Sequence, residues 1–335
     1  MNIRDIARLA EVTPGTVSKV LNNYPDIGEA TRQHVLKIIE ENQYEPKGRG
    51  KKAEALPPRV GIVMESVYNP FYSEVEDSLS IHLHNAGYTM ISFHDNYFAQ
   101  SKKEKYMELL SDFQPEKLDG LIYIGGNFEE ISREEFALLP CPTVFVNTLL
   151  PYPSGKLIYS SVQVSQFDTA YAQMQRLIDQ GHRDICTIIS SNIDTSVYSL
   201  RYKAYRAALS QNGLERNLKA FLETDYQYDK AYRAVLAHFH AHPETTAVCS
   251  GTDIVVPAIL RALHDAGKRP GQDVKILSFD GLPGLKYCIP SISTYEQPTH
   301  EIVKFIFNLI DGLINKTQNH QHITFQPTFK QRESC

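Results

Sequence analysis

The chain has 335 residues, a formal net charge of −5, and 42% apolar and 22% charged residues, a globular balance that excludes long disorder and leaves room for two or three domains. The longest nearly uncharged apolar stretch, residues 302–310, is about half of the ~20 residues that a membrane-spanning helix needs, and Lys304 interrupts it. The N-terminus lacks the basic-then-apolar order of a secretion signal, so a soluble, cytoplasmic protein is expected.

Cysteine usage and charge distribution narrow the class further. Cys141, Cys186, Cys249, Cys288 and Cys335 stand 39 to 63 residues apart with no CxxC pair, so neither a disulfide framework nor a zinc ribbon is predicted. Residues 1–52 hold nine Lys/Arg against seven Asp/Glu, and the remainder 25 against 32. A small cationic head on an acidic body points to a polyanion at one end.

The first 45 residues read as three short helices. Ile3, Ile6, Ala7 and Ala10 form an apolar stripe at helical spacing. Thr13-Pro14 starts the second helix, because Thr can accept first-turn amides and Pro fits the first helical position. Val17, Val20 and Leu21 are its inner face, and residues 22–25 end it. A third helix over 29–42 buries Val35, Leu36, Ile38 and Ile39, giving a helix-turn-helix domain over 1–46. Thr13, Thr16, Ser18, Lys19 and Asn22 face outward; short polar side chains suit phosphate oxygens, and Lys19 can reach a guanine edge or a phosphate. A solvated, well-capped helix has the same pattern.

Residues 47–58 lose periodicity around Gly48, Gly50 and Pro57-Pro58, and read as a basic linker carrying Lys47, Arg49 and Lys51. From Arg59 onward strands and helices alternate. Strands are predicted at 60–64, 89–93, 118–124, 143–146, 184–190, 246–250 and 274–279, with helices near 165–180, 200–212, 229–241 and 254–266. That is a parallel α/β pattern long enough for two doubly wound sheets, with ligands expected at the carboxyl ends of the strands.

Other chemistry is sparse. His238, His240 and His242 resemble a metal tract, but on a helix only the first and last share a face. His320 and His322 are expected to be exposed. No dinucleotide fingerprint or phosphate-binding GxxxxGK[ST] occurs, and no spacing argues for a nucleophile. Gly181-His182 reads as a helix C-cap and turn. No catalytic set, metal or cofactor is therefore expected.

Residues 2–46 closely resemble the DNA-binding head of the lac repressor/gal repressor family of bacterial transcription regulators. The matching pieces are Asp5-Ile-Ala, Thr16-Val-Ser-Lys-Val-Leu-Asn22, Thr31-Arg32 and Tyr44-x-Pro46. Asn69-Pro-Phe-Tyr72, Asp119-Gly120, Gly181-His-Arg183, Arg201-x-x-x-Tyr205, Phe279-Asp280 and Gln297-Pro298 are similar to later family pieces, so the resemblance covers nearly the whole chain.

The resemblance implies a periplasmic-binding-protein-like core over 59–335, of two lobes with three crossovers near 158–164, 289–297 and 318–324. Lobe 1 is expected at 59–160 plus 291–320, and lobe 2 at 161–290 plus 321–335. It makes Thr13 to Lys19 and Asn22 the groove-facing set, with Pro14 and Gly15 where relatives often read bases. Ile3 and Arg4 fall where relatives touch DNA from the first helix. In the core it implies an effector cleft lined by Phe71, Tyr72, Asn147, Arg201, Tyr226 and Asp253. Arg201 and Asp253 offer a donor fork and an acceptor, although an Arg opening a helix and an Asp starting one also serve as caps. Residues 254–290, near Pro257 and Ile289-Pro290, are the implied dimer surface, and no leucine heptad after Lys330 suggests a tetramer.

Three features depart from the family pattern. Glu11 stands where a turn Gly is usual, the linker has two glycines and Ala53 where a hinge helix has a wedging Leu, and Asn147 stands where Asp is common. The implied function is a ligand-responsive, operator-binding homodimer, a repressor of a sugar-utilisation operon. The alternatives are a relative answering to a nucleobase, a sugar phosphate or a protein corepressor, or a cytoplasmic sugar-binding protein or enzyme of the same fold.

Overall fold

The computed structural model describes residues 2–21, 24, 27–42, 57–64, 70–94, 117–151, 155–190 and 197–335, in two units, Met1–Pro57 and Pro58–Cys335. The head holds α1 (Ile3–Leu9), α2 (Pro14–Leu21) and α3 (Glu29–Glu41). Asn2 accepts from the N–H groups of Arg4 and Asp5 while Asp5 reaches back to the Asn2 N–H, a reciprocal cap that fixes the start of α1. Thr13 Oγ1 accepts from the Thr16 N–H at 3.1 Å and so starts α2. Ile6, Ala7, Ala10, Val17, Val20 and Val35 are the buried centre of the three helices. Leu36, predicted inward, is 40% exposed. One residue beyond Val35, it is turned about 100° away from the face that α3 buries.

Glu11 has φ 49°, so the turn between α1 and α2 is left-handed at a residue with a Cβ. Replacing Glu11 by Gly is expected to stabilise the head by about 0.5–1 kcal/mol, measured as a rise in its melting midpoint; an unchanged or lower midpoint would show that Glu11 carries no net strain.

Two six-stranded sheets form the second unit. The first contains β1 (Arg59–Met64), β2 (Thr89–His94), β3 (Gly120–Ile124), β4 (Thr143–Val146), β5 (Ser160–Val164) and β11 (His322–Phe325), in the order β11-β5-β4-β3-β1-β2 and parallel throughout. The second contains β6 (Ile185–Ile189), β7 (Phe221–Glu223), β8 (Ala247–Ser250), β9 (Lys275–Asp280), β10 (Ser293–Glu296) and β12 (Thr328–Lys330), in the order β12-β10-β9-β8-β6-β7, with only β12 antiparallel. Central strands read as continuous apolar runs because both faces are covered.

One face of the first sheet packs on α4 (Pro70–Asn85) and α10 (Thr299–Ile314) through Ile62, Val75, Leu79, Ile306 and Ile310. The other carries Tyr123, Phe128, Phe136 of the short α5 (Arg133–Phe136), Phe145 and Tyr159, whose rings meet at centroid distances between 4.6 and 6.0 Å. In the second lobe, α6 (Gln166–Asp179) and α7 (Tyr198–Gln211) contribute to one cluster, and α8 (Tyr228–Ala241) and α9 (Val256–Asp265) to another. No described helix is long and apolar enough to cross a membrane.

Strand pairing corrects the lobe boundaries. Residues 161–164 and 322–325 belong to the first sheet, and 293–296 to the second, each the reverse of the sequence expectation. The chain crosses between lobes at Ser165, at Gln297-Pro298 and at Gln326-Pro327. Sheet membership is decided by which backbones bond to one another, over 16 residues for β5 with β4 and β10 with β9 and over a far longer separation for β11 with β5. A short mixed strand such as Ser293–Glu296 has no local preference for either lobe.

Candidate functional site

The head offers one polar face. Arg4, Thr13, Pro14, Gly15 and Lys19 are exposed, Thr16 and Ser18 are half-buried, and Ile3 packs on the apolar centre with only part of its surface outside. Thr13 and Thr16 share a hydroxyl–hydroxyl hydrogen bond of 3.0 Å at the start of α2, which orients both side chains at the exposed end of that helix. The remaining DNA-binding candidates, Asn22 of the groove-facing set and the linker residues Lys47, Arg49 and Lys51, lie outside the described residues.

In the second lobe the carboxyl ends of β8 and β9 meet at Arg201. It stands on the first turn of α7 and is 3% exposed. Its Nε donates to Gln166 Oε1 at 2.7 Å, one Nη donates to the Gly251 carbonyl, and the other reaches Asp280 Oδ1 at 3.0 Å. The guanidinium lies 3.6 Å from the Phe279 ring centroid and 5.2 Å from that of Tyr198. Burial works against the Arg201 charge. Asp280 and the neighbouring tyrosines Tyr198 and Tyr226 outweigh it, so its pKa ends above the ordinary arginine value.

Asp280 ends β9 with φ 118° and also accepts from Thr252 Oγ1 at 2.7 Å and Gln297 Nε2 at 2.9 Å. Tyr226 meets Tyr198 edge-to-face at 5.0 Å, in a loop where Asp225 and Tyr226 are both left-handed (φ 49° and 54°). Its hydroxyl reaches so close to Gly251 that a Cβ there would stand 2.7 Å away. Burial raises the Tyr226 pKa and the Arg201 charge opposes the rise. The result is a buried polar cluster with aromatic walls and compensated charge. Asp280, Gln166, Thr252 and Gln297 were not singled out from sequence, although Phe279-Asp280 and Gln297-Pro298 were among the family-like pieces.

Four of the residues expected in the cleft have structural contacts of their own. Asp253 is 1% exposed; its carboxylate accepts from the N–H groups of Gly281 and Leu282 at 2.6 and 2.8 Å and from Thr294 Oγ1 at 3.0 Å. It fastens the loop after β9 from within. Asn147, left-handed at φ 47°, accepts the buried Val164 N–H at 2.8 Å on Oδ1 and so locks β5 to the end of β4. Phe71 and Tyr72, 2% and 4% exposed, belong to the apolar core beneath α4. Arg201 and Tyr226 are brought near one another. A polar or aromatic residue beside a strand end satisfies the same sequence pattern whether it points into a cleft or back into its own lobe.

Burial and the charge of Asp280 push the Asp253 carboxyl up to about 7. Because the folded value lies above the unfolded one of about 3.9, the fold favours the neutral acid; that contribution is full below about pH 4 and lost as pH rises to 7. Asn at this position keeps an acceptor for the two loop N–H groups and a donor for Thr294. Asp253→Asn is therefore expected to gain stability relative to the native protein between about pH 4.5 and pH 7.5, read by urea unfolding at each pH; a constant difference would show that Asp253 does not titrate in that window.

The histidines also differ from expectation. His320 and His322 are half-buried, with Nδ1 atoms 3.0 and 2.7 Å from Ser160 and Ser161 Oγ, and tie β11 to β5. His238 is buried against Thr245 Oγ1 at 3.0 Å. Gly181 takes φ 94° in the turn that closes α6.

The sequence pattern described as "Bacterial regulatory proteins, lacI family" matches residues 2–47, and "Periplasmic binding protein-like domain" matches residues 174–335. The chain is 30% identical over 336 residues to the HTH-type transcriptional regulator MalR of Clostridium butyricum, covering 100% of this chain and 99% of MalR. It is 28% identical over 321 residues to catabolite control protein A of Priestia megaterium, covering 94% and 93% of the two chains. In fold alone it is similar to the transcriptional regulator CelR–cellobiose complex (TM-score 0.68, 23% identity, 100% of both chains). It is likewise similar to the Lac repressor bound to ONPG (TM-score 0.71, 17% identity, 100% and 99%). With a helix-turn-helix head, a two-lobed core and a full-length relative at this identity, the chain belongs to the lacI family of bacterial regulatory proteins.

Proposed function

We propose that this lacI-family regulator is a cytoplasmic homodimer that represses sugar-utilisation genes and answers to a neutral sugar bound beside Arg201, Asp280 and Tyr226. The carrying observation is the internal charge balance of the Arg201–Asp280 pair. A phosphorylated sugar needs a cation free to meet it, whereas this cluster offers amides, hydroxyls, a compensated guanidinium and aromatic faces, the chemistry of sugar hydroxyls and ring faces. The relatives are transcription regulators, and CelR carries cellobiose. Tyr287 and Ile289, 77% and 94% exposed, support pairing of two copies at the surface near Pro257 and Pro290.

On DNA, Thr13, Pro14, Gly15, Thr16, Ser18 and Lys19 make the base and phosphate contacts, with Ile3, Arg4, Asn22, Lys47, Arg49 and Lys51 flanking them. Lys19→Ala is expected to weaken binding to a selected operator duplex by about 1–3 kcal/mol, measured by titration at fixed salt; unchanged affinity removes Lys19 from the interface. The effector is tested by thermal shift against cellobiose, ribose, glucose 6-phosphate and guanine. A ligand at 100-fold its Kd adds about 2.7 kcal/mol. Stabilisation by a neutral sugar supports the reading, and stabilisation by only the phosphate or the purine overturns it.

A further inference from the structure

The Arg201–Asp280 pair is held between two glutamines, and each stands at a crossing between the lobes. Gln166 follows the first crossing, opening α6 immediately after Ser165, and its Oε1 accepts from Arg201 Nε at 2.7 Å. Gln297 stands at the second crossing, just after β10. Its Nε2 donates to Asp280 Oδ1 at 2.9 Å and its backbone N–H to the Asp280 carbonyl at 3.0 Å. Both glutamines are buried, whereas Gln326 at the third crossing is exposed.

Each buried amide is also half satisfied. Gln166 Nε2 and Gln297 Oε1 are enclosed without a hydrogen-bond partner among the described residues. An unpartnered buried donor and acceptor on one network raise its energy, so an arrangement that supplies their partners competes with this one. A hydroxyl can do both, accepting from an amide N–H and donating to an amide oxygen.

We propose that Gln166 and Gln297 are positioning residues that tie the Arg201–Asp280 pair to two of the three interlobe crossings, so that a change at the pair is felt at both crossing backbones together. That a bound molecule makes this change rests on the effector reading above; the tie itself does not. A ligand hydroxyl that partners either amide gives one arrangement of the crossings an affinity advantage over the other, which is what a ligand needs in order to shift a conformational balance.

Hydrogen–deuterium exchange of the full-length protein tests the tie without any ligand. Gln166→Met is expected to speed exchange in residues 294–300, at the crossing it does not belong to. Gln297→Met is expected to do the same in residues 160–167. Gln166→Glu retains an acceptor for Arg201 Nε and is expected to leave 294–300 at the native rate. A purely local role predicts faster exchange only at the substituted crossing, and that result overturns the proposal. If one methionine variant does not fold, the other still reads the opposite crossing. Loss of reciprocity while cellobiose or ribose still stabilises the native protein overturns the tie and spares the effector reading. Reciprocity in a protein that neither sugar stabilises supports the tie and counts against that reading.

Discussion

Arg201→Ala is expected to destabilise the second unit by about 3–5 kcal/mol, the usual cost of removing one partner of a buried ion pair. Three donors disappear at once. Asp280 keeps Thr252 and Gln297 as partners but loses its counter-charge, and the Gly251 carbonyl and Gln166 Oε1 lose their donor. Phe279 loses the guanidinium on its face. Since the chain has no tryptophan, urea unfolding followed by circular dichroism is the measurement. Arg201→Lys keeps the charge without the fork and should fall between the native protein and the alanine variant. The exposed Arg269–Asp273 pair is a suitable contrast: Arg269→Ala should leave the midpoint unchanged, because solvent screens such pairs. A loss at Arg201 no larger than at Arg269 would mean that water reaches the cluster.

Gly281→Ala is the second large effect, at about 3 kcal/mol or more from backbone strain and overlap together. Gly281 takes φ 89°, and a Cβ there would lie 2.6 Å from Glu296 Cα and 2.5 Å from its Cγ. The backbone of β10 is half of that clash and cannot rotate away. The same glycine gives its N–H to Asp253, so relief by moving the loop breaks a buried bond. Gly87, also left-handed at φ 82° but with nothing within 4 Å of its missing Cβ, isolates the conformational part. Gly87→Ala should cost only about 1 kcal/mol. Equal losses at the two glycines would show that the packing against Glu296 is soft.

The contrast between these sites shows what the amino-acid order discloses. The three head helices and the β/α rhythm from Arg59 were legible because periodicity is local: an apolar run such as Val60–Met64, or a Thr-Pro start at 13–14, carries its own signal. Glu11 was equally readable, since the family's turn Gly has a backbone reason that the structure repeats at φ 49°. Lobe membership of residues 161–164, Ser293–Glu296 and His322–Phe325 was not, because it depends on which strands pair rather than on any local pattern, and for His322–Phe325 the partner β5 is over a hundred residues away. The partner of Arg201 was hidden likewise. Asp253 and Asp280 are both acids at strand ends, 52 and 79 residues beyond it, and only the fold decides that Asp280 pairs with Arg201 while Asp253 holds a loop. The structural contact of Asn147 was hidden for a related reason: its side-chain oxygen meets a backbone N–H that only strand pairing brings near.

The placement of β11 and β12 has a consequence for biosynthesis. Each sheet takes an edge strand from residues 322–330, β11 beside β5 and β12 beside β10. A nascent chain leaving the ribosome can form the head early. Both sheets meanwhile wait with an open edge, β5 on one and β10 on the other, until those residues emerge. Unpaired strand edges attract other chains. Chaperone demand during translation should accordingly concentrate in the interval between emergence of β10 and emergence of β12.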